Sequence, residues 1–465
     1  MFKNLTKNIK NIPKTRIILR GCILSGVLFL ANSCFVMDNK YSGVAPGVWR
    51  ATLQLVPREY AANSNNQIHS VRQLLTQKEG NEEQKLKIEE ASEGELPFLF
   101  EVKYSTETAF GLEIINGDER IPVATEDIKI GRNKATGKDT ILINFPIYGS
   151  FIRAIYQERV MEGEWVLPAK GLSIPFKAIY GKNHRFTTLA KKPTADLTGH
   201  WESKFDLADS LPYDAVGEFK QNGNLLRGTF RTETGDYRFL DGEVQADKFY
   251  MSCFDGSHAF LFEGKIRPDG HLDGIFRSGK GTPEVWQAKK NEAFELRNAN
   301  EITVQKNKNE TIDFTFPNSE GKQIALKNYG NKVKIIQIMG TWCPNCRDET
   351  TFLTDYLAKH SSEKLAVIAL AFERNADIAA TQVATYKNKM RVPYEILIAG
   401  TTTNKESAAK TLPWLSKVTA FPTMIVLDKN NKVRRIHTGF DGPATSKYTD
   451  FVKEFDELIN KVLSE

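Results

Sequence analysis

Cysteine is scarce in this chain, with 5 in 465 residues. That excludes a scaffold held by disulfides, which needs cysteine at high density. A second cysteine pair is lacking, so a four-ligand zinc site has no basis. Covalent haem needs His after the second Cys of a Cys-x-x-Cys motif, and Arg347 stands there. No metal and no other cofactor is expected. Acid is missing from the N-terminus, where no Asp or Glu precedes Asp38. A bilayer-spanning run of about 20 apolar residues is missing there as well. The apolar stretch from Gly21 to Ala31 is too short.

The N-terminus instead carries Lys3, Lys7, Lys10, Lys14, Arg16 and Arg20 ahead of that short apolar stretch. Basic region, apolar region and small residues together read as a secretory signal over residues 1–33. The stretch closes Leu30-Ala31-Asn32-Ser33-Cys34, which resembles a bacterial lipoprotein signal. The resemblance implies lipidation at Cys34, a tether over 34–45, and a place in the bacterial cell envelope facing the periplasm. Inner and outer membrane are not distinguished. Without the signal, 57 basic residues face 57 acidic ones, and the net charge of +6 disappears. Nothing in that balance points to nucleic acid.

Cys22 leaves with the signal, so Cys253, Cys343 and Cys346 remain as thiols. Cys253 lies in the apolar, strand-like run Phe249 to Phe254 and reads as buried and inert. The other two form Trp342-Cys343-Pro344-Asn345-Cys346, after the apolar run Val333 to Met339 and before a helical pattern. In that setting Cys-x-x-Cys is a dithiol/disulfide redox pair. The strand should deliver Cys343 to an exposed turn, where the free N–H groups of the following helix favour a negative sulfur.

Residues 46–290 alternate and turn like β structure. Gly47-Val48-Trp49 opens one stretch and Gly199-His200-Trp201 a second. Leu96-Pro97-Phe98 in the first is echoed by Leu211-Pro212-Tyr213 in the second. We expect two related β units, 46–185 and 198–290, forming barrel-like repeats. Asp241-Gly242, Asp255-Gly256, Asp269-Gly270 and Asp273-Gly274 are read as hairpin turns. The charged insertion from Asn63 to Glu95 reads as a solvated loop or exposed helix. A barrel interior could hold a small ligand. The polar segment 291–304 reads as a linker that lets the last domain move.

Residues 305–465 alternate strand and helix, giving an α/β domain with a central mixed sheet flanked by helices. Strands are expected at Ile312 to Phe316, Lys334 to Met339, Leu365 to Phe372, Tyr394 to Ile398, Met424 to Leu427 and Val433 to His437. Helices are expected at about 346–359, 377–389, 405–411 and 447–463. The dithiol motif, with Thr419-Ala420-Phe421-Pro422-Thr423 downstream, resembles the thioredoxin fold. The Ile312–Leu326 hairpin and the extra helix before Tyr394 are similar to its membrane-tethered TlpA/ResA-like branch. The resemblance covers the last third of the chain.

It implies an extracytoplasmic thiol–disulfide oxidoreductase that keeps exported proteins reduced, for example in cytochrome c maturation. A membrane or periplasmic thiol would supply the electrons. Cys343 would attack and Cys346 resolve. Pro422 would be cis, and would bind substrate together with Trp342 and Phe421. Pro344 and Asn345 would tune the potential, and Glu349 would handle the proton of Cys346. The branch often has Pro where Thr351 stands, which leaves the placement of Glu349 open. The competing readings are a binding lipoprotein, in which the β region captures a ligand or partner, and a thiol peroxidase.

Overall fold

A computed structural model describes residues 43–56, 93–208, 211–360, 363–401 and 405–465. The signal, Cys34 and nearly all of the Asn63–Glu95 insertion lie outside the described residues. Among those described, no helix is long and apolar enough to cross a membrane.

The β region is two meanders. In the first, strand Gly47–Gln54 pairs antiparallel with Glu95–Tyr104 on one side and with Leu172–Tyr180, the last strand, on the other. The second repeats this plan. Gly199–Phe205 pairs with Tyr213–Asn222 and with the last strand, Glu284–Lys290. Its ring closes, since Tyr213–Asn222 also pairs with Leu225–Thr232. The first does not close: Glu119–Val123 and Ile128–Arg132 end its sheet at opposite edges. The two opening tryptophans do the same local work. The indole of Trp49 donates to the carbonyl of Ala45, and that of Trp201 to Leu197, each at 2.9 Å and four residues back.

Aromatic rings fill the second barrel. Phe205 stacks on Trp286 at 5.6 Å, Phe230 on Phe262 at 4.9 Å, and Phe262 on Phe276 at 4.5 Å. Cys253 is fully buried in the same cluster, and burial pushes its thiol pKa well up. Two of the four Asp-Gly pairs are not turns. Asp241-Gly242 lies within Leu240–Gln245 and Asp273-Gly274 within Leu272–Ser278. These glycines are needed for close approach: a Cβ on Gly274 would run into the Trp286 ring, and one on Gly264, its cross-strand partner, into Phe249. The other two pairs do join strands, but only their glycines have positive φ, +90° at Gly256 and +85° at Gly270. A type I′ turn needs both central residues there.

The two units keep separate apolar cores, but Phe254, Ala259 and Leu261 of the second pack into the core of the first. Phe254 of the second reaches Phe98 of the first, with ring centroids 4.4 Å apart. Arg185, buried between them, donates to Asp241 at 3.0 Å, to the Ser252 hydroxyl at 2.9 Å and to the carbonyl of Ile115.

The joining segment is not a free linker. A short helix, Ala299–Ile302, is capped by Asn298 and buries Ile302. The Thr303 N–H bonds the Thr438 hydroxyl at 3.2 Å. Glu295 pairs with Arg231 of the second barrel at 3.4 Å and with Lys447 at 2.9 Å. An apolar anchor and charges committed on both sides hold a segment that looked solvated from its composition.

The C-terminal region is thioredoxin-like. Its sheet has five strands in the order Glu395–Thr401, Leu365–Glu373, Val333–Met339, Thr423–Leu427, Val433–Thr438. The first three run parallel to one another, Thr423–Leu427 runs antiparallel to the central strand, and Val433–Thr438 runs antiparallel to Thr423–Leu427. One apolar cluster joins Val333, Ile335 and Met339 to residues of helices Pro344–Lys359, Ala379–Lys389 and Tyr448–Ser464. The alternate residues Ile336 and Ile338 belong to a second cluster with Ala408, Leu412 and Trp414. The expected Ile312–Leu326 hairpin shrinks to Thr315–Pro317 against Gln323–Ala325.

Candidate active site

The central strand Val333–Met339 is buried at every residue and aims the chain at the dithiol turn. Gly340 follows, where a Cβ would strike the Trp342 indole. Thr341 is held by Glu373, whose carboxylate accepts its N–H at 3.0 Å and its hydroxyl at 2.7 Å. The indole of Trp342 donates to the Phe372 carbonyl at 2.9 Å and meets Phe421 edge-on at 5.6 Å. The Arg374 guanidinium lies 4.2 Å over the Trp342 ring, a favourable cation–π arrangement.

Cys343 is the N-cap of helix Pro344–Lys359, with Pro344 in the first turn. Proline is suited to that place, where no N–H is needed. The Cys343 sulfur accepts the backbone N–H of Cys346 at 3.2 Å and lies 3.4 Å from the Phe421 carbonyl oxygen. The Phe421–Pro422 peptide is cis, as the resemblance implied. The loop carrying Phe421 and Pro422 therefore sits directly on the Cys343 sulfur.

Cys346 is fully buried, and burial pushes its thiol pKa well up, with the neighbouring Cys343 adding to the shift. Burial therefore favours its thiol form. Glu349 lies one turn further along, also fully buried, and burial raises its pKa to about 8. The nearby Gln337 side chain offsets that rise only in part, and among the described residues neither carboxyl oxygen has a partner at ordinary hydrogen-bond geometry. Gln337, the one uncharged polar residue inside the central strand, gives its amide instead to the Cys346 carbonyl at 3.3 Å and the Thr350 hydroxyl at 3.1 Å. Tyr386 donates to Thr350 at 3.0 Å. Thr351 needs no proline to keep Glu349 inward: its hydroxyl bonds the Arg347 carbonyl at 3.0 Å, and the helix runs on.

One feature differs from expectation: Cys343 was expected at an exposed turn, yet only 7 % of it is exposed. The amide of Asn345 donates to the carbonyl of Asp236, at 3.2 Å. The β region reaches the rim of the dithiol turn at further points. The Ser257 hydroxyl donates to the Trp342 carbonyl at 3.1 Å, and Arg238 donates to that of Pro344 at 3.3 Å. Sequence reasoning missed Gln337, Glu373, Arg374, Asp236, Arg238 and Ser257. Only Gln337 left a signal, as a polar residue within an apolar run.

Residues 308–436 match the family model described as AhpC/TSA family. This part of the chain is an AhpC/TSA-type domain. The chain is 26% identical over 124 residues to the thiol-disulfide oxidoreductase ResA of Bacillus anthracis, covering 27% of this chain and 65% of that protein. It is 23% identical over 150 residues to ResA of Halalkalibacterium halodurans, covering 32% and 75%. The chain thus spans slightly under two thirds of the length of the Bacillus relative. Among solved structures, a thioredoxin family thiol:disulfide interchange protein from Chlorobium tepidum aligns at 17% identity, over 33% of this chain and 94% of that one, with TM-score 0.27. A secreted thiol-disulfide isomerase from Corynebacterium glutamicum aligns at 16%, over 36% and 93%, with TM-score 0.28. The AhpC/TSA-type domain holds both cysteines, Glu349 and Pro422, and the β region lies outside the residues this family model matches.

Proposed function

We propose that the chain is an extracytoplasmic thiol–disulfide oxidoreductase that reduces disulfides of exported proteins. One observation carries the reading: the Cys343 sulfur caps a helix and receives the N–H of Cys346 at 3.2 Å. A helix N-terminus favours negative charge on the sulfur, and the thiolate is the nucleophile in exchange. A single-thiol peroxidase has no use for a partner thiol so placed.

Cys343 attacks one substrate sulfur. The substrate S–S bond breaks, and its other sulfur leaves as a thiolate that takes a proton. Glu349, as carboxylate, accepts the proton of Cys346. The Cys346 sulfur then attacks Cys343 and expels the second substrate thiol. Two electrons have passed to the substrate, and a Cys343–Cys346 disulfide remains for an external thiol to reduce. Trp342, Phe421 and Pro422 border the attacking sulfur and supply the substrate contacts. The basic N-terminus and Cys34 support lipid anchoring in the bacterial envelope, facing the periplasm.

Cys343→Ser tests the reading. Reduction of insulin disulfides by the full chain should vanish; full activity in this variant would overturn it.

A further inference from the structure

We propose that the β region is the substrate-selecting wall of the Cys343 site, and that Arg238 of the second barrel is the residue that positions it. This rests on the dithiol-exchange reading and adds which disulfides can reach the sulfur.

Arg238 is 1 % exposed and stands at φ +61°, a conformation arginine seldom adopts. Such backbone persists only where its surroundings enforce it. Its own N–H is held by the Asp236 carboxylate at 2.6 Å. Its guanidinium then joins three parts of the molecule. It pairs with Glu119 from the first meander, with Asp255 from the second at 3.4 Å, and with Asp348 on the dithiol helix. It also donates to the carbonyl of Pro344, between the two cysteines. Burial opposes the charge, but Asp348, Glu119 and Asp255 outweigh it and keep the group protonated. Only a planar fork of five N–H donors can serve so many acceptors at once; a lysine ammonium cannot.

The neighbouring contacts follow the rim of the site. Asp236 accepts from Asn345 through its carbonyl and from the Gly442 N–H, at 2.8 Å, through its carboxylate. At Gly235 a side chain would displace the Asn345 amide. Ser257 bonds the Trp342 carbonyl. The β region therefore touches residues 342, 344, 345 and 348, on both sides of Cys343, and little of that residue is left open. Thiol–disulfide exchange depends on access to the attacked sulfur. A small disulfide or an extended peptide can enter such a site. A disulfide on the surface of a folded domain brings bulk that meets the β region first.

Two measurements on the reduced full chain test this. The first compares alkylation of Cys343 by N-ethylmaleimide and by a maleimide-polyethylene glycol, read by peptide mass spectrometry, with reduced glutathione as the unhindered reference. The folded chain should disfavour the large reagent by about tenfold or more beyond glutathione. Equal discrimination would overturn the proposal whether or not the protein is an oxidoreductase. The second compares turnover of insulin with that of a small aromatic disulfide. Arg238→Gln should raise the insulin-to-small ratio about tenfold and abolish the size preference in alkylation. Gly235→Gln, which pries at Asn345 from a different point, should act in the same direction if Arg238→Gln does not fold. Turnover with an unchanged ratio in a folded variant would sink the proposal and leave the exchange reading standing. Loss of all wild-type turnover would sink the exchange reading instead.

Discussion

Glu349 lies one helical turn past Cys346, and both are buried without a drop of exposed surface between them. A base with a pKa of about 8 beside a thiol that burial keeps protonated is matched to removing that thiol's proton. Efficiency of such transfer peaks when the pKa is near the working pH. Glu349→Gln should slow release of reduced substrate by about 10²-fold and remove a limb near pH 8 from the pH–rate profile. Single-turnover kinetics checks it: mixed-disulfide formation should be spared and its resolution slowed.

The same carboxyl ties folding to pH. In the folded chain Glu349 keeps its proton up to about pH 8, whereas unfolded it ionises near 4.5. Between those values the folded state binds the extra proton, so the Glu349 contribution to stability is fully present below about 4.5 and is lost as pH rises to about 8. The loss should amount to a few kcal/mol. Urea unfolding at pH 5 and pH 9 should show Glu349→Gln gaining on the wild type as pH rises.

Cys346→Ser removes the resolving thiol and leaves the attacking one. Incubated with a small aromatic disulfide, the variant should accumulate a lasting adduct on Cys343, visible by intact mass. A variant that releases both halves of the substrate would contradict the assigned order of attack.

Gly274→Val drives a branched side chain into the Trp286 ring. Overpacking of a filled core costs about 1–3 kcal/mol. The melting temperature should fall, and tryptophan fluorescence should shift as the indole is displaced.

The C-terminal domain was legible nearly residue by residue. Its inner strands Leu365–Glu373 and Thr423–Leu427 are largely apolar and wholly buried and its helices carry ordinary periodicity, so local pattern and tertiary role agree there. The paired cysteines were readable from their spacing, and Pro422 from the resemblance to the thioredoxin fold. The β region gave up its plan through Trp49 and Trp201 but hid its turns. Gly242 and Gly274 look like punctuation, although their missing Cβ serves packing against a neighbouring strand or ring. The contact between β region and dithiol left no trace at all. Arg238, Ser257 and Asn345 are ordinary polar residues at separations of about a hundred positions, and only the folded chain makes them neighbours.

Arg238 finds Glu119 on one meander and Asp348 on the dithiol helix. The two meanders therefore have unequal duties, one lending an acid and the other the cation between them. A fragment cut at residue 305 would bare Asp348, Asn345 and the Pro344 carbonyl to solvent. Its chemistry would be that of a differently dressed reagent, and constants measured on it would not transfer to the parent.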